Sequence, residues 1–207
     1  MVQDATYIID YWIKRIFDIL FALVALVLLL PLMVLIAIAI YVTSPGPIFY
    51  GSPRVGQGGK VFKMTKFRTM IPNADKVGPL VTAGNDPRIT KVGRYLRKLK
   101  WDELPTLWHV LIGDMSIVGP RPENPKSVGL YTEEQKKVLS VKPGITSLAT
   151  LKYRREEEIL ENAHDLEAAY YQIMQDKLSI ELEYIKNRSF IYDLKIIFLT
   201  VIEVIFG

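Results

Sequence analysis

The chain has 207 residues, half of them hydrophobic, a formal net charge of +4 and a mean hydropathy of +0.19, so it is long enough for one sizeable domain with an appendage. The absence of cysteine excludes a disulfide scaffold, a thiolate nucleophile, an iron–sulfur cluster and a Cys-based zinc site, and two histidines, His109 and His164, exclude a multi-histidine metal centre. Carboxylates are what remain for metal binding, and they favour a hard ion such as magnesium.

The charge is unevenly spread along the chain. Residues 1–53 carry a balance of −1, residues 54–100 carry +10, residues 101–149 carry −1 and residues 150–207 carry −4. A basic block of this density points to a polyanionic partner, either phosphates or anionic lipid headgroups. Its aromatic residues are confined to Phe62, Phe67 and Tyr95, which argues against nucleic acid as the partner.

In chain order, a short N-terminal segment (1–15) comes first. Between Ile19 and Pro53 there is no charged residue, and the apolar run from Ile19 to Tyr41 exceeds the ~18 residues of a membrane-helix candidate. The segment 16–42 is therefore expected to be a membrane helix. Pro31, near its middle, removes a helical hydrogen bond and predicts a break or kink. Lys14 and Arg15 precede the run while Arg54 and Lys60 follow it. Positive charge on both flanks conflicts with a single crossing, because Lys and Arg favour the cytoplasmic side. A helix–break–helix that enters and leaves through one leaflet satisfies both ends.

The remainder, 43–207, is expected to form one membrane-associated domain of α+β class, mostly helical, with a small strand hairpin and interfacial amphipathic helices. Residues 47–50 and 59–67 read as strands flanking a turn at Gly56–Lys60, which lacks the spacing of a phosphate loop. Lys91, Arg94, Arg97 and Lys98 fall on one stripe of a short basic helix. Leu104–Ile112 reads as a helix with Pro105 in its first turn and Gly113 at its end. Residues 133–141 and 154–187 also read as helical, the latter acidic and solvated, with Tyr170, Tyr171, Ile173, Leu178, Leu182 and Ile185 as its apolar side. The final stretch, 190–206, is too charged to span comfortably and is expected to pack on the domain or lie at the interface.

Asp102 and Glu103 stand side by side at a helix start, directly after the basic block. Adjacent carboxylates can divide phosphoryl chemistry, one attacking phosphorus and the other holding a metal that neutralises the phosphate oxygens. Downstream, Pro120-Arg121-Pro122 fixes one arginine in rigid backbone, and its planar fork suits a phosphate. A non-catalytic membrane adaptor that binds anionic lipids through 54–100 is the alternative, and it needs neither carboxylate pair nor Arg121.

Five motifs occur in order: Lys63-Met-Thr-Lys-Phe-Arg-Thr-Met70, Asp86-Pro-Arg88 through Arg97, Asp102-Glu-Leu-Pro-Thr-Leu-Trp108, Gly113-Asp-Met-Ser-Ile-Val-Gly-Pro-Arg-Pro122 and Lys142-Pro-Gly-Ile-Thr146. Together they resemble the bacterial sugar transferase family, the small monotopic phosphoglycosyl transferases, over roughly residues 12–207. The resemblance implies transfer of a sugar 1-phosphate from a nucleoside diphosphate sugar, usually a UDP-sugar, to a polyprenol phosphate such as undecaprenyl phosphate. This is the first membrane step of glycoconjugate or exopolysaccharide assembly, at the cytoplasmic face of the bacterial inner membrane. By that resemblance Asp102 is the nucleophile that takes the phosphosugar and releases UMP, Glu103 is the Mg2+ ligand, and Arg121 binds phosphate. Lys66, Arg68 and Arg88 match basic family positions for phosphate or nucleotide binding, and Pro31 matches the break of a re-entrant helix. The chain departs from the family pattern at Leu30, where serine is common, at His109, where asparagine is usual, and at Ser147, where glycine is common. The residues specify neither the sugar, the base, the glycan nor an oligomeric state.

Overall fold

In a computed structural model, residues 2–74, 77–78 and 86–206 are described. The chain opens with α1 (Val2–Thr43), followed by an antiparallel hairpin of β1 (Phe49–Val55) and β2 (Val61–Phe67). Then come α2 (Lys91–Leu99), a 3-10 turn (Trp101–Thr106), α3 (Leu107–Ile112) and β3 (Ser116–Val118). The rest comprises α4 (Pro125–Val128), a second 3-10 turn (Gln135–Ser140), β4 (Gly144–Thr146), α5 (Leu148–Lys152), α6 (Glu156–Glu161), α7 (Leu166–Asn187) and α8 (Phe190–Phe206).

The organising element is α1. It is the one helix among the described residues long and apolar enough to cross a membrane. The break expected at Pro31 is not present: the helix runs without interruption from Val2 to Thr43 with Pro31 inside it. The reason lies in packing. Ala22, Ala25, Leu26 and Leu29 on one side of the proline, and Leu32, Met33, Ile36, Ala37 and Ile40 on the other, repeat at helical spacing and all face the domain. Burying each isoleucine of that stripe contributes about 1.5–3 kcal/mol, so the stripe outweighs the ~3 kcal/mol that an internal proline costs.

Both ends of α1 are fastened to the same domain. At the N-terminal end, Lys14 donates to the Val118 carbonyl (3.1 Å) and to Asp193 on α8 (2.5 Å). Arg15 donates to the Val110 and Leu111 carbonyls at the end of α3. Asp18, almost fully buried, accepts from the Ser116 hydroxyl (2.8 Å) and the Ile117 N–H (3.1 Å) of β3. At the C-terminal end, Arg68 donates to the Ser44 and Pro45 carbonyls. The outward face of α1 stays bare, with Leu20, Val24, Val27, Leu28, Leu35 and Tyr41 exposed.

The main core joins Ala22 of α1 to Met64 of β2, Val110 of α3, Met115, Ile117 and Val118 around β3, Tyr184 of α7 and Ile196 of α8. The expected hairpin forms, with Phe49 opposite Phe67, Val55 opposite Val61 and Gly56–Lys60 as its turn; β2 falls within the expected 59–67, whereas β1 starts two residues later than the expected 47–50 and runs on to Val55. The strands β3 and β4 pair in parallel, Ser116 with Gly144 and Val118 with Thr146. Three helical expectations shift. The segment 104–112 divides into a 3-10 turn and α3, and 133–141 contracts to the 3-10 turn at Gln135–Ser140. The segment 154–187 is interrupted at 162–165, where the Asp165 side chain caps α7 by accepting from the Ala168 N–H. Nor is α7 merely solvated: it buries Ile173, Met174, Leu178, Glu181 and Tyr184.

Candidate active site

Lys100, the last residue before the carboxylate pair, adopts a left-handed conformation (φ 58°) that ends α2 and starts the 3-10 turn. Asp102 and Glu103 thereby occupy the first turn of a new helical segment, where backbone N–H groups favour negative charge. That segment packs on β2, which brings Lys66 alongside. The turn after β3 supplies Arg121. Its backbone is set by close approach: Gly119 donates to the Thr146 carbonyl and Gly144 donates to the Pro120 carbonyl. A Cβ on Gly144 would stand 2.1 Å from the Gly119 nitrogen, so only glycine lets the two strands meet there.

Four of the six expected polar site residues converge. Arg121 grips Glu103 with both arms of its fork, 2.6 Å to Oε1 and 3.2 Å to Oε2. Lys66 Nζ donates to the same Oε1 at 2.6 Å. Burial alone would raise the Glu103 carboxyl, but Arg121 and Lys66 outweigh it and hold the group well below the usual carboxylate range. Burial lowers the Lys66 ammonium despite the pull of Glu103. Asp102, its neighbour, is buried, and the side-chain bonds from Lys66 and Arg121 go to Glu103 and not to it. Burial raises its carboxyl above the ordinary value, with Lys66 opposing. Proximity to cations alone would depress Asp102; desolvation reverses the sign. The two carboxylates thus differ in kind: Glu103 is clamped and ionised, and Asp102 is unclamped.

Arg68 and Arg88 lie apart from this cluster in their bonding. Arg68 is spent on the carbonyls that follow α1, as above. Arg88 clasps Asp86 (2.5 Å) and donates to the Ala74 carbonyl, tying the ends of the segment between β2 and α2. Pro31 sits exposed on the outer face of α1.

Two residues behind the cluster were not among the expected ones. Glu181 of α7 is buried on the far side of Arg121, accepts from the Ser147 hydroxyl (2.6 Å) and has Oε2 unpartnered. Burial pushes its carboxyl up to about 7, with Ser147 and the Arg121 backbone opposing. It shares with Arg121, Tyr131 and Lys177 a small cleft that opens to solvent. On the other side, His109 Nε2 lies 3.0 Å from the Thr65 N–H and Nδ1 lies 3.2 Å from Asp114. The histidine therefore braces the edge of β2 next to Lys66. Ser147, flagged only as a departure from pattern, serves as the N-cap of α5. No local signal marks Glu181, because an acid within an acidic helix reads as a solvated face.

The sequence profile of bacterial sugar transferases matches residues 9–207. The chain belongs to the bacterial sugar transferase family. This sugar transferase is 39% identical over 200 residues to the Escherichia coli (strain K12) protein named UDP-glucose:undecaprenyl-phosphate glucose-1-phosphate transferase, covering 92% of this chain and 40% of that protein. It is 46% identical over 122 residues to the putative undecaprenyl-phosphate N-acetylgalactosaminyl 1-phosphate transferase of Bacillus subtilis (strain 168), covering 59% of this chain and 66% of that protein. With the exopolysaccharide production protein ExoY of Sinorhizobium fredii (strain NBRC 101917 / NGR234) it shares 36% identity over 91% of this chain and 83% of the relative. The sugar transferase thus spans about two fifths of the length of its E. coli relative and most of ExoY.

Proposed function

We propose that this chain transfers a sugar 1-phosphate from a nucleoside diphosphate sugar, a UDP-sugar in the first instance, to a polyprenol phosphate such as undecaprenyl phosphate. The observation that carries the reading is the unequal carboxylate pair. Asp102 is unclamped, and Glu103 is fixed by two cations in a chain whose relatives bear undecaprenyl-phosphate transferase names. Asp102 attacks the sugar-bearing phosphorus, the bond from that phosphorus to the bridging oxygen breaks, and the bridging oxygen leaves with UMP. A phosphate oxygen of the polyprenol phosphate then attacks the same phosphorus and frees the Asp102 carboxylate. Attack needs the ionised form, and Lys66, with Arg97 and Lys100 behind it, opposes the effect of burial on Asp102. A covalent intermediate lets one small site serve a water-soluble donor and a lipid acceptor in turn.

Magnesium fits the donor set. Of the carboxylate positions on Glu103, Oε1 accepts two bonds and Oε2 accepts one, which leaves Oε2 with capacity for a further partner. Bound there, Mg2+ would neutralise charge on the diphosphate oxygens. Arg121, whose fork now spans Glu103, is placed to share that task.

The membrane reading is that α1 lies within one leaflet, with the domain on the cytoplasmic face of the inner membrane. Its support is the attachment of both ends of the apolar run, Lys14 to Asp18 and Ile40 to Ser44, to one domain. A straight crossing would drag the polar flanks of that domain through the hydrocarbon.

Asp102→Asn is expected to abolish UMP release from a UDP-sugar with Mg2+, even without acceptor. UMP release by this variant at near-normal rates would remove Asp102 as nucleophile. A wild-type chain that binds anionic liposomes but releases no UMP across a panel of UDP-sugars would favour the adaptor.

A further inference from the structure

Of the five sequence motifs, Lys142-Pro143-Gly144 finds no complete explanation in the site. Its proline and glycine do: the Pro143 carbonyl accepts from Ser116 N–H, and Gly144 fits against Gly119. Lys142 makes no hydrogen bond or ion pair among the described residues, although it is half-buried. Its ammonium lies beside Arg15. A Cβ placed on Gly113 would stand 3.3 Å from Arg15 Nη2 and 3.5 Å from Lys142 Nζ, so the two nitrogens are within about 7 Å of each other. Gly113 has φ +93°, a conformation glycine adopts without strain, and the absence of a side chain leaves open the space between the cations.

Two like charges converge here with the nearby acids otherwise engaged. Asp18 is bound to Ser116 and Ile117, and Asp114 faces His109. Arg15 has spent two of its five N–H groups on the Val110 and Leu111 carbonyls and retains donors. Burial and Arg15 both lower the Lys142 ammonium, a repulsion that a bound anion would relieve. A phosphate, whose oxygens lie ~2.5 Å apart, can accept from both nitrogens at ordinary hydrogen-bond length.

The surroundings select the kind of phosphate. Arg15 directly precedes the apolar run of α1, at the depth where hydrocarbon meets water. Tyr11 and Trp12 are exposed one turn earlier, as interfacial aromatics are. Ile112 and Ile16 are exposed beside the cations and offer apolar contact to an acyl chain. We propose that Arg15 and Lys142 bind the headgroup phosphate of an anionic membrane phospholipid, a site separate from the Asp102–Glu103 cluster at the opposite end of the 3-10 turn and α3. The inference rests on the membrane placement of α1 and not on the chemistry at Asp102, so its test reads binding and not turnover.

The full chain in non-ionic detergent is titrated with short-chain phosphatidylglycerol, phosphatidylcholine or inorganic phosphate, and thermal unfolding is followed. Phosphatidylglycerol is expected to raise the unfolding temperature, and Lys142→Gln to need about tenfold more of it for half the effect, the loss of one charge-assisted contact. Lys142→Arg is expected to behave as wild type. An unchanged midpoint in Lys142→Gln, or an equal effect of phosphatidylcholine, overturns the site. An equal effect of inorganic phosphate overturns the lipid as its ligand. Should Lys142→Gln fail to fold, acetylation of wild-type Lys142 decides. Its rate is expected to fall at least threefold in phosphatidylglycerol micelles relative to phosphatidylcholine, with exposed Lys126 as the reference. Equal protection of the two lysines overturns the proposal.

Discussion

Replacing Glu181 by glutamine keeps the shape of a buried side chain and removes its titration. In the folded chain this carboxyl is raised by burial from 4.5 to about 7, so the folded state holds its proton more tightly than the unfolded state. Stability must therefore fall as pH rises from about 4.5 to about 7, because over that window the folded chain has a proton to lose that the unfolded chain has already lost. A shift of this size, at about 1.4 kcal/mol per pH unit, corresponds to roughly 2.5 kcal/mol between pH 5 and pH 8. Glutamine can still accept from the Ser147 hydroxyl, and whatever its unmatched amide costs is the same at every pH. Chemical unfolding in non-ionic detergent, followed by tryptophan fluorescence at pH 5, 6, 7 and 8, gives the difference between variant and wild type with all other titrations cancelled. The variant is expected to gain roughly 2.5 kcal/mol relative to wild type across that range. Parallel stability curves would refute the burial argument, and so would a gain in the opposite direction.

Three further perturbations test the framework around the site. Gly144→Ala places a methyl against the backbone of Gly119, which cannot yield as a flexible side chain would; a loss of at least about 3 kcal/mol in unfolding free energy is expected. Asp18→Ala leaves the Ser116 hydroxyl and the Ile117 N–H buried without an acceptor, and should cost roughly 3 kcal/mol in the same assay. Arg121→Lys retains the charge but cannot span both oxygens of Glu103, so UMP release from a UDP-sugar is expected to fall at least about tenfold.

What the sequence disclosed follows from the range of the interactions. The hairpin and the basic helix α2 were legible because period-two alternation, a glycine turn and a four-residue stripe are local. Asp102, Glu103, Lys66 and Arg121 were found through motifs, and the fold brings them to one point from three separate elements. The break at 162–165 was also local: Asp165 is a capping residue, but the acidic run around it concealed the signal. The clamps that matter most to α1 were not legible at all, since Lys14 meets Asp193 across 179 positions and Asp18 meets Ser116 across 98. The same holds for Glu181, whose partner Ser147 lies 34 positions away. The break expected at Pro31 did not form, because a proline rule written for an isolated helix takes no account of a partner surface that buries the stripe on both sides of it.

The fastening of α1 has a consequence for biogenesis. Without residues 2–43, both apolar clusters lose members, Asp193 loses its cation, and the Ser116 and Ile117 donors lose their acceptor. The remaining chain is thus not a water-soluble enzyme tethered by a removable stalk. Its interior is completed by the same helix whose other side is exposed and apolar, so on the proposed membrane placement of α1, insertion and folding are one event.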